Sequence, residues 1–134
     1  MLQSSDDRRT LDVGDGDLTW SVLSTVDTHL TYLASSVPLA VSFLKTGICS
    51  ADNAQETARQ INLIRDALTQ VPPELAVYDQ SDLSKQAPWL GRLSPVITSC
   101  GNLYITPDGK DLLFELVSIL SYASILGVDI VTVG

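Results

Sequence analysis

The sequence predicts an α+β fold in a single domain: helices packed on a small β-sheet, with a long buried C-terminal helix. Three observations carry this. Apolar residues recur every three or four positions over Leu18–Leu33 and again over Ala54–Val71, the period of a helix with one buried face. The run Leu112–Leu126 is apolar on nearly every side, a pattern that a helix carries when most of its faces are covered. Short β-branched stretches, above all "VDIVTV" at Val128–Val133, favour strands beside those helices. At 134 residues the chain can bury one core without staples.

Residues 1–16 form an acidic segment, with Asp6, Asp7, Asp12 and Asp15, and are expected to be partly flexible. Within it "TLDV" is a candidate strand before the turn at Gly14 and Gly16. A helix is expected from Leu18 through Leu33, ending before Pro38. Pro38 suits the first turn of a further helix, "PLAVSFLKTG", which Gly47 stops. Ser50 is the expected N-cap of the next helix, with Asp52 and Glu56 near its positive end. Pro72 and Pro73 terminate that helix. "ELAVYD" then alternates weakly, as a strand would, and "YDQSDLSKQAPWLGRLSP" breaks all periodicity. "VITSCGNLYIT" suggests strands around Gly101 and Asn102. Thr106 is the expected N-cap of the last helix, with Pro107 at its first position and Asp108 and Asp111 in its first turn. Gly127 should end it, and a strand closes the chain. With no internal repeat and no long linker, residues 1–134 form one domain.

Sixteen acids against eight bases leave a net charge of −8. That field repels phosphate backbones, so direct nucleic-acid binding is disfavoured, and it draws in a basic partner. Cys49 and Cys100 are the only two cysteines and belong to no C-x-x-C, so free buried thiols are expected. The first residues lack the apolar core of a secretory signal, and the expected location is the cytoplasm. Leu112–Val128 is short for a membrane span and contains Glu115, so a buried helix is the better reading and no membrane partner is expected.

Catalytic and metal chemistry finds little support. His29 is the only histidine and has no partner motif. In "DVGDGD" the twelfth position of an EF-hand loop counted from Asp12 is Leu23, so the stretch reads as an acidic turn. Gly109-Lys110 lacks the earlier phosphate-loop glycine, because Tyr104 stands there. No metal, no cofactor and no enzymatic activity is expected.

The segments "DALTQVPPELAVYDQSDLSKQAPW" and "LSPVITSCGNLYITPDGKDLLFELVSIL" resemble a family of bacterial immunity proteins of polymorphic toxin and contact-dependent inhibition systems, of the immunity protein 70 type. The likeness rests on Pro72-Pro73, on Asp82 to Gln86 with Pro88-Trp89, on Ser94-Pro95 and Ile97-Thr98, and on Thr106 to Leu112. It spans roughly Thr25 to Leu120. The resemblance implies an immunity protein that binds the toxic C-terminal domain of a cognate effector, often a basic nuclease, without catalysis. An acidic protein suits such a partner. Asp79, Asp82, Asp108 and Asp111 are the candidate partner-binding residues, expected to stay solvated. Pro88 and Trp89, with Leu90, are read as a strap that plugs the irregular stretch onto the core. The alternative is a small ligand-binding or enzymatic domain built on the acids at the Thr106 helix start, with His29.

Overall fold

Leu112, Leu113, Leu116, Ile119, Leu120 and Ala123 lie along one side of the last helix and are buried. The remaining elements are arranged around them. The computed structural model of the chain describes residues 1–89 and 91–134. Its elements run β1 (Leu2–Ser4), β2 (Thr10–Leu11), α1 (Asp17–His29), α2 (Thr31–Ala34), α3 (Pro38–Thr46), α4 (Ala51–Leu68), α5 (Leu112–Leu126) and β3 (Ile130–Thr132). Among the described residues this is one α+β domain with five α-helices, 47% helical, and a small three-stranded antiparallel sheet.

The helix pair α4/α5 forms the centre. The two run antiparallel: Arg65, late in α4, meets Asp111 and Phe114 at the start of α5. Ala54, Ala58, Ile61, Ile64 and Leu68 of α4 are buried against it. Each buried Leu or Ile in this seam contributes about 1.5–3 kcal/mol relative to exposure. Helix α3 starts at Pro38 and ends at Gly47 in the left-handed conformation (φ 68°). A side chain at Gly47 would collide with Thr132 Oγ1 and Leu2, so this glycine also lets the helix end press on the sheet.

The sheet order is β2-β1-β3, all antiparallel. The acidic segment thus supplies two strands, one of them central, although only the second is foreseen in the sequence. Leu2 and Ser4 of β1 are buried, with Gln3 half-buried between them. Asp129, just before β3, accepts a hydrogen bond from Ala51 N at 2.8 Å. It caps α4 in place of the Ser50 hydroxyl, which makes no capping bond.

Three further expectations are corrected. The single helix Leu18–Leu33 is broken at Leu30 (φ −130°, ψ 45°), which separates α1 from α2. "ELAVYD" and "VITSCGNLYIT" hold no strand; the first overlaps a 3-10 turn, Pro73–Leu75, and the second is a series of turns with one isolated bridge, Ile105 to Asp111. Helix α5 begins at Leu112 with Asp111 as its N-cap, accepting from Phe114 N at 3.2 Å. The reason is a tight turn at 106–110. Thr106 N donates to Lys110 O (2.8 Å), Gly109 N donates to Thr106 O (2.9 Å), and Gly109 adopts φ 84°. A helix cannot pass through that left-handed glycine. As expected, α5 is covered on most of its faces; Phe114, Ile125 and Leu126 are the exceptions, at 54%, 81% and 52% exposed.

Cys49 and Cys100 are buried and unbonded to each other, and burial pushes the Cys100 thiol up to about 12. Among the described residues no helix is long and apolar enough to cross a membrane.

Candidate functional site

Helix α1 carries a second face besides its apolar one. Asp17, Ser21 and Thr25 recur at four-residue spacing, with Ser24 beside them, so they form one polar stripe. Chain 76–89 is fastened along it. Val77 N donates to Thr25 Oγ1 (2.9 Å) and Val77 O accepts from Ser21 Oγ (2.8 Å). Gln80 N donates to Ser24 Oγ at 3.1 Å, and the Gln80 amide reaches Asp27 at 2.9 Å. Tyr78 OH donates to Asp17 (2.6 Å), and Trp20 Nε1 donates to Asp79 (2.9 Å). Ser21, Ser24 and Thr25 are fully buried. Their hydroxyls would be costly there without these partners. At the end of α1, the His29 ring lies 2.8 Å from Leu75 O, a structural contact at the entrance of the strap.

Trp89 stands edge-on between two tyrosines. Its ring is 5.8 Å from Tyr78 at 82° and 5.9 Å from Tyr104 at 86°, the edge-to-face geometry that aromatic quadrupoles favour. Tyr104 is buried and its hydroxyl lies 2.9 Å from Thr25 Oγ1. The ladder Tyr78–Trp89–Tyr104 therefore runs from the surface into the core. Pro88 is exposed beside it. Leu90 lies outside the described residues.

The ladder's outer edge forms a ridge between two open grooves. One, of about 580 Å³, is lined by Asp15, Asp17, Leu18, Pro88, Ile105 and Pro107. The other, of about 540 Å³, is lined by Glu74, Asp79, Leu83, Lys85 and Leu93 among others. Tyr78 and Trp89 border both. Both grooves are lined mainly by apolar side chains; Asp15 and Asp17 line the first, while Glu74 and Asp79 share the second with Lys85, which pairs with Asp79. The first can accept the alkyl stem of a lysine or arginine with its charged head near the two carboxylates. Among the described residues every buried side-chain nitrogen and oxygen has a hydrogen-bond partner, and no group of three His, Cys, Asp or Glu is placed to hold a metal.

The four acids singled out from sequence do not converge. Asp79, expected to be solvated, has a side chain only 13% exposed. It is engaged by Trp20, by Ser81 and, at 3.4 Å, by Lys85. Asp82 is exposed and accepts from Ser84 N and Oγ. Asp108 is exposed in the 106–110 turn, accepting from Thr106 Oγ1 at 2.6 Å. Asp111 caps α5 and lies 3.9 Å from Arg65. Neither Asp108, Asp111 nor His29 lines either groove. Asp15 and Asp17, which the sequence presents as part of an acidic turn, do line one. The turn itself is real: Asp12 accepts from Gly14 N and Asp15 from Asp17 N.

Hydrogen bonds from Ser81 and Trp20 hold the Asp79 carboxyl well below the usual carboxylate range. Thr106 does the same for Asp108, and Ser4 and Tyr122 for Asp6. Donation to Asp17 pushes the Tyr78 phenol up to about 12, so it stays a neutral donor. Folding thus favours the charged form of these acids. The stability they contribute is present above their ordinary pKa, near 4, and is lost as pH falls through their lower folded values. Thermal melting should accordingly show Tm falling below about pH 4, with a shallower fall in Asp79→Asn. A variant whose Tm tracks the parent throughout would remove Asp79 from this account.

The family model described as Immunity protein 70 matches residues 5–132 of the chain. No curated protein and no solved structure matches it.

Proposed function

The chain belongs to the Immunity protein 70 family, and from that premise we propose that it neutralises one cognate toxin domain by binding it, without catalysis. The observation that carries this reading is the extent of the match, residues 5–132, nearly the whole chain. The partner we propose is the C-terminal domain of a contact-dependent inhibition or polymorphic toxin effector, with a basic, nuclease-type surface, met in the bacterial cytoplasm. The net charge of −8 supports it, because opposite charge speeds encounter and fixes orientation.

The ridge at Tyr78 and Trp89 is the proposed contact surface. Asp15 supplies its charge together with Asp17, which also accepts from Tyr78, and Asp82, next to the groove residue Leu83; Asp108 follows Pro107 at the border of the other groove. Asp79 and Asp111, both engaged within the chain, act by holding the strap and the α5 start. The ridge suits a partner with exposed lysines or arginines around an apolar spot, since the amphipathic aromatics can anchor it while the acids steer.

The test is co-expression with the toxin domain encoded beside this chain's gene. Protection from toxicity and co-purification are the expected results; toxicity unchanged by the chain overturns the reading. For the purified pair, Asp15→Lys combined with Asp82→Lys, which spares the Asp17–Tyr78 contact, should slow association by roughly tenfold and flatten its dependence on salt. Binding indifferent to salt in the parent protein would instead assign recognition to an apolar face.

A further inference from the structure

The two oxygens of the Asp79 carboxylate keep different company. Oδ1 accepts from Trp20 Nε1 (2.9 Å), Ser81 N (2.9 Å) and Ser81 Oγ (2.5 Å), which fixes the strap to α1. Among the described residues Oδ2 meets only the Lys85 ammonium, at 3.4 Å. A close charge-assisted hydrogen bond spans about 2.7–2.9 Å, so the lysine rests near the carboxylate without gripping it. Its side chain is 58% exposed, against 13% for Asp79. Both residues line the second groove, together with Tyr78, Trp89, Leu83 and Leu93. A mostly buried carboxylate among aromatic and apolar side chains is a receptor for a cation carried on an alkyl stem. In the free chain that receptor is filled from within.

We propose that Lys85 is an internal stand-in, holding the place at Asp79 Oδ2 that an arginine or lysine of the toxin domain takes on binding. The inference rests on the reading of the Tyr78–Trp89 ridge as the contact surface. Lys85 suits replacement. Its backbone closes a turn, Lys85 N donating to Asp82 O at 3.1 Å, so the side chain can swing out while the turn stays. The strap does not need it, because the three Oδ1 bonds already hold Asp79. An exposed ion pair contributes little, and its loss is offset when the incoming stem packs against Trp89 and Leu83. Arginine is the stronger competitor, since its planar guanidinium is more weakly hydrated than an ammonium and stacks on aromatic rings. The exchange also carries specificity: a partner without a cation at this point leaves Lys85 in place and gains nothing from the groove. Removing a positive charge from this binding surface therefore opens it, and the apparent affinity rises by the fraction of time that Lys85 had occupied it.

Calorimetric titration with the toxin domain at fixed ionic strength tests the exchange. Lys85→Met keeps the stem and drops the charge at an exposed position. It should bind about two- to fivefold more tightly than the parent, the range for an exposed ion pair. Lys85→Arg, a better stand-in, should bind more weakly than the parent. Lys45→Met, the same charge change at the end of α3, should leave affinity unchanged, which separates exchange from net charge. In an Asp79→Asn background the Asn oxygen still accepts from Trp20 and Ser81, and there Lys85→Met should have no effect. Affinity unchanged or lowered in Lys85→Met, matched by Lys45→Met, or still raised in the Asp79→Asn background overturns the inference and leaves the toxin reading standing. A parent that captures no toxin domain overturns that reading instead, and N-acetyl-arginine amide then decides the groove. This probe should alter the tryptophan fluorescence of Lys85→Met at lower concentration than that of the parent; an equal response, or none, overturns the inference.

Discussion

Tyr104→Ala is expected to lower the free energy of unfolding by about 3–5 kcal/mol, the range for removing a large buried aromatic. Tyr104 is 1% exposed, and it does two jobs. Its ring supports Trp89 from beneath, and its hydroxyl sits among Ser21 Oγ at 3.2 Å, Thr25 Oγ1 at 2.9 Å and the Ser21 carbonyl at 3.2 Å. Truncation opens a cavity and withdraws a partner from two buried hydroxyls. Tyr104→Phe keeps the ring and removes only the hydroxyl, so its cost should be about 1–2 kcal/mol. Urea unfolding of the two variants separates packing from hydrogen bonding. If Tyr104→Ala costs under about 1 kcal/mol, the strap is not anchored through this residue.

Trp89→Ala should separate stability from function. Trp89 is only partly buried against the core, so its loss should cost about 1–3 kcal/mol rather than the full value for an enclosed ring. Its exposed edge forms the ridge between the grooves. If the toxin domain seats there, affinity should fall by about 30-fold or more, the behaviour of a central aromatic anchor. Calorimetric titration at a temperature where the variant is folded measures this. Trp89→Phe should recover part of the affinity by restoring an aromatic edge. Unchanged affinity in Trp89→Ala would move the interface off the ridge while leaving the family membership untouched.

The periodic parts of this fold are legible from residues alone. Pro38 and Gly47 bracket α3, and Pro72-Pro73 close off the segment after α4, because proline and glycine act through their own backbones wherever they stand. The start of α5 departs from the local rule for a related reason. Thr106-Pro107 satisfies the local rule for a helix start, but Asp108-Gly109 forms a turn first, and the helix waits for Asp111. Asp129 capping α4 could not be read at all, since it comes from 78 residues away. The same holds for the candidate site. Asp82 and Trp89 stood out by motif, whereas Asp15 and Asp17 reach the ridge only through tertiary packing. The one overlooked local signal was the spacing Asp17, Ser21, Thr25, a polar stripe whose burial by another segment could have been inferred.

The central strand ties together two very different closures. Pairing β1 with β2 joins Gln3 to Thr10, while pairing it with β3 joins Gln3 to Val131. For chain loops of those lengths the entropy of closure is roughly 2 and 4 kcal/mol respectively. The helices can gain most of their burial before the second closure is made, because α4 and α5 do not need the sheet to meet. Contacts this distant in sequence slow the search for the native topology. Once α4 and α5 have met, only Gly127, Val128 and Asp129 separate α5 from β3, so the helix pair has already made most of the long closure and β3 seals the edge of β1 with little further loss of chain entropy.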